Sequence, residues 1–347
     1  MKKEAAARSG KQDASALRVG ELWPDFLEYV ATETADGEDS FMYTAAQSIG
    51  KHHILPRVKH KKPNSMTGFD WQAVINSAKP VKRKSPSGKV YTNARTSSGE
   101  LSEKTLKNIR GVITQFLKYC AFRGIVQFVP TLKIPKNRER VGKATLSTSE
   151  CLELLSLDYE STGEIYIHAY QLQVILGLRP GEALGIQNAD ISGDFLHISR
   201  SINSKDKVTP GKNKRAQRTE YIFPDLRKII NKQLSLKKAL GFNTPWLFPF
   251  EDGNQPKQAT YLNHLQRLCV GQGWTVITPY SLRHNFVSVM SGRMSTDDIK
   301  LIVGHSAGMD THGTYDARLQ ENVKIIGTRV ASAWQDASQQ VDSQLPN

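Results

Sequence analysis

Regular apolar patterning breaks off in the middle of this chain of 347 residues, at TLKIPKNRERVGKATLS, residues 131–147, which is basic, holds a proline and has no helical or strand period. A segment of that kind has too little apolar surface to pack a core of its own. The chain therefore reads as two separately packed parts, which its length also favours. The expected organisation is a polar, disordered N-terminus, 1–17; a first domain, 18–135; a basic linker, 136–146; a second domain, 147–335; and a tail, 336–347.

The first part reads as helical. VGELWPDFLEYVA carries apolar residues at helical spacing. Basic clusters follow in KHHILPRVKHKK and KPVKRKSPSGK, and include Lys59, Lys61, Lys62, Lys82, Arg83 and Lys84. SPSGKVYTNARTSSGE, 85–100, reads as a loop from its Ser, Pro and Gly content. Ser102 then suits an N-cap. Leu106, Ile109, Ile113, Phe116, Leu117 and Cys120 recur on one face of the helix that follows, and Gly124 suits its end.

In the second part, EIYIHAYQLQVILG reads as a buried helix ending at Gly177. GDFLHISRS and QRTEYIFP read as strands flanking a lysine-rich turn, and TPYSLRHNFVSVMSG and STDDIKLIVG as helices. The expected fold class is mainly α with a small β-sheet (α+β), without internal repeats.

Charge narrows the class of partner. Lys and Arg outnumber Asp and Glu 47 to 33, a net charge of +14, and the sequence pI is near 9.6. Such a surplus either keeps the surface solvated or attracts a polyanion, and its size points to nucleic acid. Cys120, Cys151 and Cys269 lie far apart among apolar neighbours and form no CxxC pair. That argues against a zinc finger or disulfide framework and for core positions. No apolar run reaches the length of a membrane span, and MKKEAAARSGKQDAS lacks the apolar centre of a signal peptide, so a cytoplasmic protein is expected.

Four stretches carry residues suited to one reaction. In GLRPGEALGI, 177–186, Pro180 suits the first turn of a new helix, Arg179 is held at the junction and Glu182 lies one turn on. An ordinary capping salt bridge has the same spacing. In TPYSLRHNF, 278–286, Thr278 and Pro279 suit a helix start, with Tyr280 and Arg283 on one face and Leu282, Phe286 and Val289 on another. The plainer reading makes Tyr280 a core residue and Arg283 a surface charge. In SKDKVTPGKNKRAQRTEYIFP, 204–224, Thr219, Tyr221 and Phe223 alternate with Glu220 and Ile222 as in a strand. The preceding lysines form either a solvated tip or a hairpin that carries one lysine into a groove. In LIVGHSAGMDTHGTYDA, 301–317, His305 follows a short helix and Tyr315 comes ten residues later among small residues.

Together these residue types suffice for attack on phosphorus. A tyrosine hydroxyl, with a pKa of ~10, is protonated at neutral pH, and becomes a nucleophile where cations offset the developing charge. Two arginines can clamp a phosphate, a histidine can hydrogen-bond a non-bridging oxygen, and a lysine can protonate the departing oxygen. No metal is then required, and the alternative ligand set His305, Asp310 and His312 lacks the regular spacing of known sites.

In their order, over about 140 residues, GLRPGEALGIQNADI, PGKNKRAQRTEYIFP, TPYSLRHNF and LIVGHSAGMDTHGTY resemble the catalytic domain of tyrosine recombinases, the phage-type integrases. VGELWPDFLEYV and GELSEKTLKNIRGVITQFLKYCAFRGIV resemble, more loosely, the core-binding domain of integrases from prophages and conjugative transposons. The resemblance covers roughly residues 18–335. It implies a helical core-binding domain and a mixed α/β catalytic domain closing on DNA as a C-shaped clamp. It implies site-specific recombination, the integration and excision of a mobile element, through a 3′-phosphotyrosyl intermediate. The implied roles are phosphate binding for Arg179 and Arg283, acidic support for Glu182, general acid for Lys212 with Lys214 as the alternative, second-box histidine for His305, and nucleophile for Tyr315. Tyr280 stands where the family usually has histidine; it can donate a hydrogen bond but cannot carry charge. DNA contacts are expected from the basic residues named above and from Lys136, Arg138, Lys214 and Arg215.

The implied partners are double-stranded DNA attachment sites, further copies of the chain in a synaptic tetramer, and accessory DNA-bending or directionality proteins. No cofactor is implied, and the protein is expected in the cytoplasm with the nucleoid. Two other readings stand beside this one: a type IB topoisomerase-like enzyme and a DNA-binding protein with impaired catalysis. In LQENVKIIGTRVASAWQ, 319–335, Val323, Ile326, Val330 and Trp334 form an apolar stripe. It packs either on its own domain or, as the resemblance favours, on a neighbouring protomer, coupling cleavage between subunits.

Overall fold

The computed structural model describes residues 16–84, 90–92, 99–135, 142–210, 217–304 and 317–343. The chain forms two compact units, residues 1–142 and 143–347. In unit 1, α1 spans Val19–Thr32. α2, Phe41–Ile49, runs through a π-type turn, Gly50–Ile54, into α3, Leu55–Val58; α4 is Gly68–Asn76 and α5 is Glu103–Phe122. Ser102 caps α5 by accepting a hydrogen bond from the Thr105 amide, and all six residues of the predicted apolar face are buried. Trp23 and Phe26 of α1 meet Phe116 of α5 at ring-centroid distances of 5.0 and 5.3 Å. Trp71 of α4 meets the same ring at 6.0 Å. Phe116 is thus the common contact of three helices.

Three segments of unit 1 depart from expectation. β1, Lys82–Lys84, pairs antiparallel with β2, Val90–Thr92, with Arg83 opposite Tyr91, inside the stretch 85–100 that composition predicts to be a loop. Val, Tyr and Thr all favour strands, but a run of three is outvoted by the turn formers around it. Leu17 packs against the unit 1 core, so the disorder expected for 1–17 does not reach it. At the other end Leu132 is buried and Ile134 packs beside it. The Lys133 amide donates to Gln72 Oε1 at 2.8 Å, and its carbonyl accepts from Gln72 Nε2 at 2.9 Å. An aperiodic strip can still anchor single side chains.

In unit 2, α6, Thr148–Ser156, and α7, Tyr159–Thr162, lead to α8, Ile167–Leu176, in which every residue is buried. With no solvent face, its polar residues serve its neighbours. His168 Nδ1 pairs with Gln233 Oε1 at 3.0 Å, Gln171 Nε2 donates to the Leu154 carbonyl at 2.9 Å, and Gln173 Nε2 donates to the Pro279 carbonyl at 2.6 Å. α9 is Pro180–Gly185. A three-stranded antiparallel sheet follows in the order β3, Ile191–Ser192, β4, Phe195–Ile198, and β7, Arg218–Tyr221. β5, Ser201–Ile202, and β6, Val208–Thr209, form a separate pair. α10, Pro224–Ala239, α11, Gln258–Gly271, α12, Pro279–Met290, α13, Thr296–Ile302, and α14, Ala317–Asp342, complete a mainly α fold with small antiparallel sheets. The three cysteines are buried and free; burial pushes the Cys120 and Cys151 thiols up to about 12, so they are unreactive. Among the described residues no helix is long and apolar enough to cross a membrane.

α14 corrects the expectation of docking on a neighbouring protomer. Val323, Val330 and Trp334 are buried, and Ile326 packs against the unit 2 core. Trp334 Nε1 donates to the Ile175 carbonyl at 3.2 Å. At Gly327 an added Cβ would lie 2.7 Å from the Tyr221 Cβ, so the helix backbone packs directly on the Tyr221 side chain. The helix also continues past residue 335 to Asp342, with Ala337 fully buried. An amphipathic stripe specifies burial and not its partner; here β7, α12 and α6 of the same unit take it.

Candidate active site

α8 ends where Gly177 adopts φ +62°, and an added Cβ there would fall 2.4 Å from the Phe286 ring. Only glycine allows both the left-handed turn and this approach. Two residues on, Arg179 takes the N-cap position of α9, with Pro180 in its first turn. The Arg179 amide donates to Glu182 Oε2 at 3.0 Å and its Nη1 donates to Glu182 Oε1 at 2.5 Å. The capping pair exists, and it is part of something larger. Glu182, only 2% exposed, also accepts from Arg218 Nη2 at 3.3 Å, and Arg218 Nε donates to Glu220 Oε1 at 2.7 Å. A chain of charge thus runs from α9 to β7. Burial pushes the Glu182 carboxyl up, but Arg218 and Arg179 outweigh it and hold the group below the usual carboxylate range. Burial lifts Glu220 to about 7 even with Arg218 beside it.

Arg283 is 2% exposed, which corrects its reading as a surface charge. Its Nη1 donates to the Gly177 carbonyl at 2.9 Å and its Nη2 to the Val303 carbonyl at 2.5 Å. Gly177 and Val303 are the C-cap residues of α8 and α13. Carbonyls at helix C-termini lack intrahelical donors and lie at the negative end of the helix dipole, so they suit a cation. One guanidinium therefore joins the end of α8, two residues before Arg179, to the end of α13, two residues before His305. Burial, followed by the positive charge of Arg179, lowers Arg283 to about 10, with Glu182 opposing and Arg218 adding. Three arginines and two carboxylates interact in one region, an arrangement with surplus positive charge that suits an incoming anion.

Tyr280 is 40% exposed and is not a core residue. Thr278 takes the N-cap position of α12 without a side-chain cap; the start of the helix is held from α8 through Gln173. Lys212, Lys214, Arg215, His305, Tyr315, Lys136 and Arg138 lie outside the described residues, as do Asp310 and His312. What bounds the two key segments is described. Thr209 pairs with Ser201 and Arg218 with Ile198, so paired strands flank the lysine turn. Gly304, at φ +66°, ends α13 just before His305. In unit 1, Lys59 and Lys62 are exposed, Lys61 Nζ is bound to Asp70 at 2.9 Å, and Lys82, Arg83 and Lys84 form β1. Among the described residues no His, Cys, Asp or Glu cluster could hold a metal ion.

Sequence reasoning missed Arg218, Glu220 and Gln173. Arg218 and Glu220 are buried while Thr219 and Tyr221 are half-buried, the reverse of what the aromatic residues of the strand suggest. Opposite charges two apart, and so on one side of a strand, were the available signal.

Residues 145–321, just over half of the chain, match the phage integrase family. No curated protein matches the sequence significantly. Among solved structures the chain is similar to a Tn1549 transposon integrase in complex with circular intermediate DNA, with a TM-score of 0.66 and 15% identity over 88% of this chain and 99% of that one. It is also similar to a lambda integrase dimer bound to a COC′ core site, with a TM-score of 0.60 and 14% identity over 86% of this chain and 98% of that one. A third is a lambda integrase tetramer bound to a Holliday junction, with a TM-score of 0.59 and 14% identity over 91% and 88%. At such identities the structural likeness is one of fold, and the family match carries the assignment: the chain belongs to the phage integrase family and is a tyrosine-type site-specific DNA recombinase.

Proposed function

We propose that this recombinase integrates and excises a mobile element by covalent catalysis from Tyr315, with Arg283 organising the phosphate site. The observation that supports this most is the Arg283 guanidinium shared between the Gly177 and Val303 carbonyls. It draws toward one point the segments that carry Arg179, Arg283 and His305. Arg179 and Arg283 bind the non-bridging oxygens of the scissile phosphate, whose charge relieves the repulsion between them. Glu182, shared with Arg218, orients the Arg179 fork, and His305 and Tyr280 donate further hydrogen bonds. The Tyr315 hydroxyl attacks phosphorus as its proton passes to solvent, the bond to the 5′-oxygen breaks, and Lys212, or Lys214, gives that oxygen a proton. The 3′-phosphotyrosyl bond conserves the phosphodiester until a 5′-hydroxyl of the partner strand attacks phosphorus and releases Tyr315. No nucleotide hydrolysis is needed.

In this reading unit 1 is the core-binding domain, and both units bind duplex DNA. The lysines of unit 1, with Lys136 and Arg138 of the linker, contact phosphates. Four copies assemble on two attachment sites, with accessory proteins setting direction, in the cytoplasm. A nicked suicide site tests the chemistry. Tyr315→Phe is expected to bind it like the wild type and form no adduct; an adduct with that variant removes Tyr315 from the mechanism. The products of the wild type separate the three readings: joined strands from two sites, relaxation alone, or no covalent complex.

A further inference from the structure

The first residue of unit 2, Lys143, has no task in the mechanism above. Its side chain is exposed, yet its ammonium has defined neighbours. Nζ lies 5.2 Å from the centroid of the Tyr280 ring and 2.9 Å from Nε2 of His284. The Tyr280 and His284 rings meet edge to face, with centroids 5.1 Å apart. An ammonium only donates, so His284 Nε2 accepts and the imidazole is neutral. Burial, then the charges of Lys143 and Arg283, hold His284 below the usual histidine range, in keeping with that geometry. A lysine on a four-carbon stem ordinarily sweeps a wide volume of solvent; a hydrogen bond and a ring face confine this one. Neither partner is anionic, so these contacts position the charge without neutralising it. The site it is held over is a partly exposed tyrosine on the helix that carries Arg283, one turn away.

We propose that Lys143 is a further residue of the phosphate site: held by Tyr280 and His284, its ammonium faces the scissile phosphate and supplies there the positive charge that Tyr280 cannot carry. This rests on the reading of Tyr280 and Arg283 as phosphate ligands. The test is the rate of covalent adduct formation by the full chain on a suicide substrate at saturating DNA. Lys143→Met keeps the apolar stem and loses the charge. It is expected to slow cleavage by about tenfold, less than the ~10²–10³ for a buried donor because solvent and salt screen an exposed charge. Lys143→Arg keeps the charge and is expected to stay within about threefold of the wild type. Melting temperature and gel-shift affinity are expected to be unchanged in both. Wild-type cleavage by Lys143→Met overturns the proposal. So does an equal loss in both variants, which would make Lys143 a tether for His284. Arg283→Ala in the same assay separates the two levels: if it cleaves normally, the phosphate site itself is misassigned. If it is inactive while Lys143→Met cleaves normally, only the role of Lys143 falls.

Discussion

Unit 1 fills its interior with Trp23, Phe26, Trp71, Phe116 and Tyr119, and its buried polar residues, among those described, are Ser40 and His53. Unit 2 buries Glu182, Arg218, Glu220 and Arg283 in one region, with Gln173, Gln233 and Lys237 elsewhere. Aromatic contacts add ~0.5–1.5 kcal/mol each beyond area burial. Each buried ion instead costs several kcal/mol of desolvation, which its partners only partly return. Unit 1 is thus built for stability, with its cations left on the surface, where they act at long range. Unit 2 gives up stability to hold charge in a fixed, water-poor place, which is what selective stabilisation of a transition state requires.

The largest expected effect comes from ending the chain before Leu319. That removes Val330, Trp334 and Ala337 from the unit 2 core, a loss of more than ~5 kcal/mol at typical burial values. Calorimetry is expected to show the unit 2 transition gone and that of unit 1 retained. A surviving unit 2 transition would mean that α14 is not part of this core. Glu182→Gln comes next. It leaves Arg218 and Arg179 short of a carboxylate and is expected to cost unit 2 ~3–5 kcal/mol in urea unfolding; a change below ~1 kcal/mol would mean the network is solvated. Arg283→Ala is expected to slow cleavage by ~10²–10³ while gel-shift affinity changes little. Equal losses in both would reduce Arg283 to an ordinary DNA contact.

Glu220 sharpens the comparison through pH. Its folded value is raised, from 4.5 to about 7, so the native state holds a proton that the unfolded state releases. The stability contributed by the neutral carboxyl is complete below 4.5 and is lost as pH rises through 7, roughly 3 kcal/mol in all. The melting temperature of unit 2 is expected to fall between pH 5 and 8, and Glu220→Gln to flatten that slope; an unchanged slope in the variant assigns it to another group. The smallest effect is in unit 1. Lys59→Ala is expected to leave stability within ~0.5 kcal/mol and to reduce the salt slope of DNA binding by about 1, whereas Lys61→Ala, already paired with Asp70, is expected to change it less.

The helices and their ends were legible. Ser102, Gly177 and Pro180 stop or start helices where expected, and the apolar face of α5 is the one that periodicity marks. The Arg179–Glu182 pair was legible as well, because residues three apart at a helix start are within reach of each other. The orientation of β7 was not. Period two divides a strand into two faces without saying which is buried, and here Glu182, from another element, provides the partner that lets Arg218 and Glu220 turn inward. Nor was the docking of α14, whose stripe fits any apolar surface of matching width.

Caps, turns and periodic faces depend on atoms a few bonds apart, so neighbouring residues decide them. The four motifs, and with them the reaction class, belong to that level. The environment of each charge does not. The two carbonyls bound by Arg283 lie 106 and 20 residues away along the chain, and Arg218 is 36 residues from Glu182. Such pairs exist only once the elements have packed. At that point the absence of water makes each contact strong, and an isolated charge costly enough that its partners must be close.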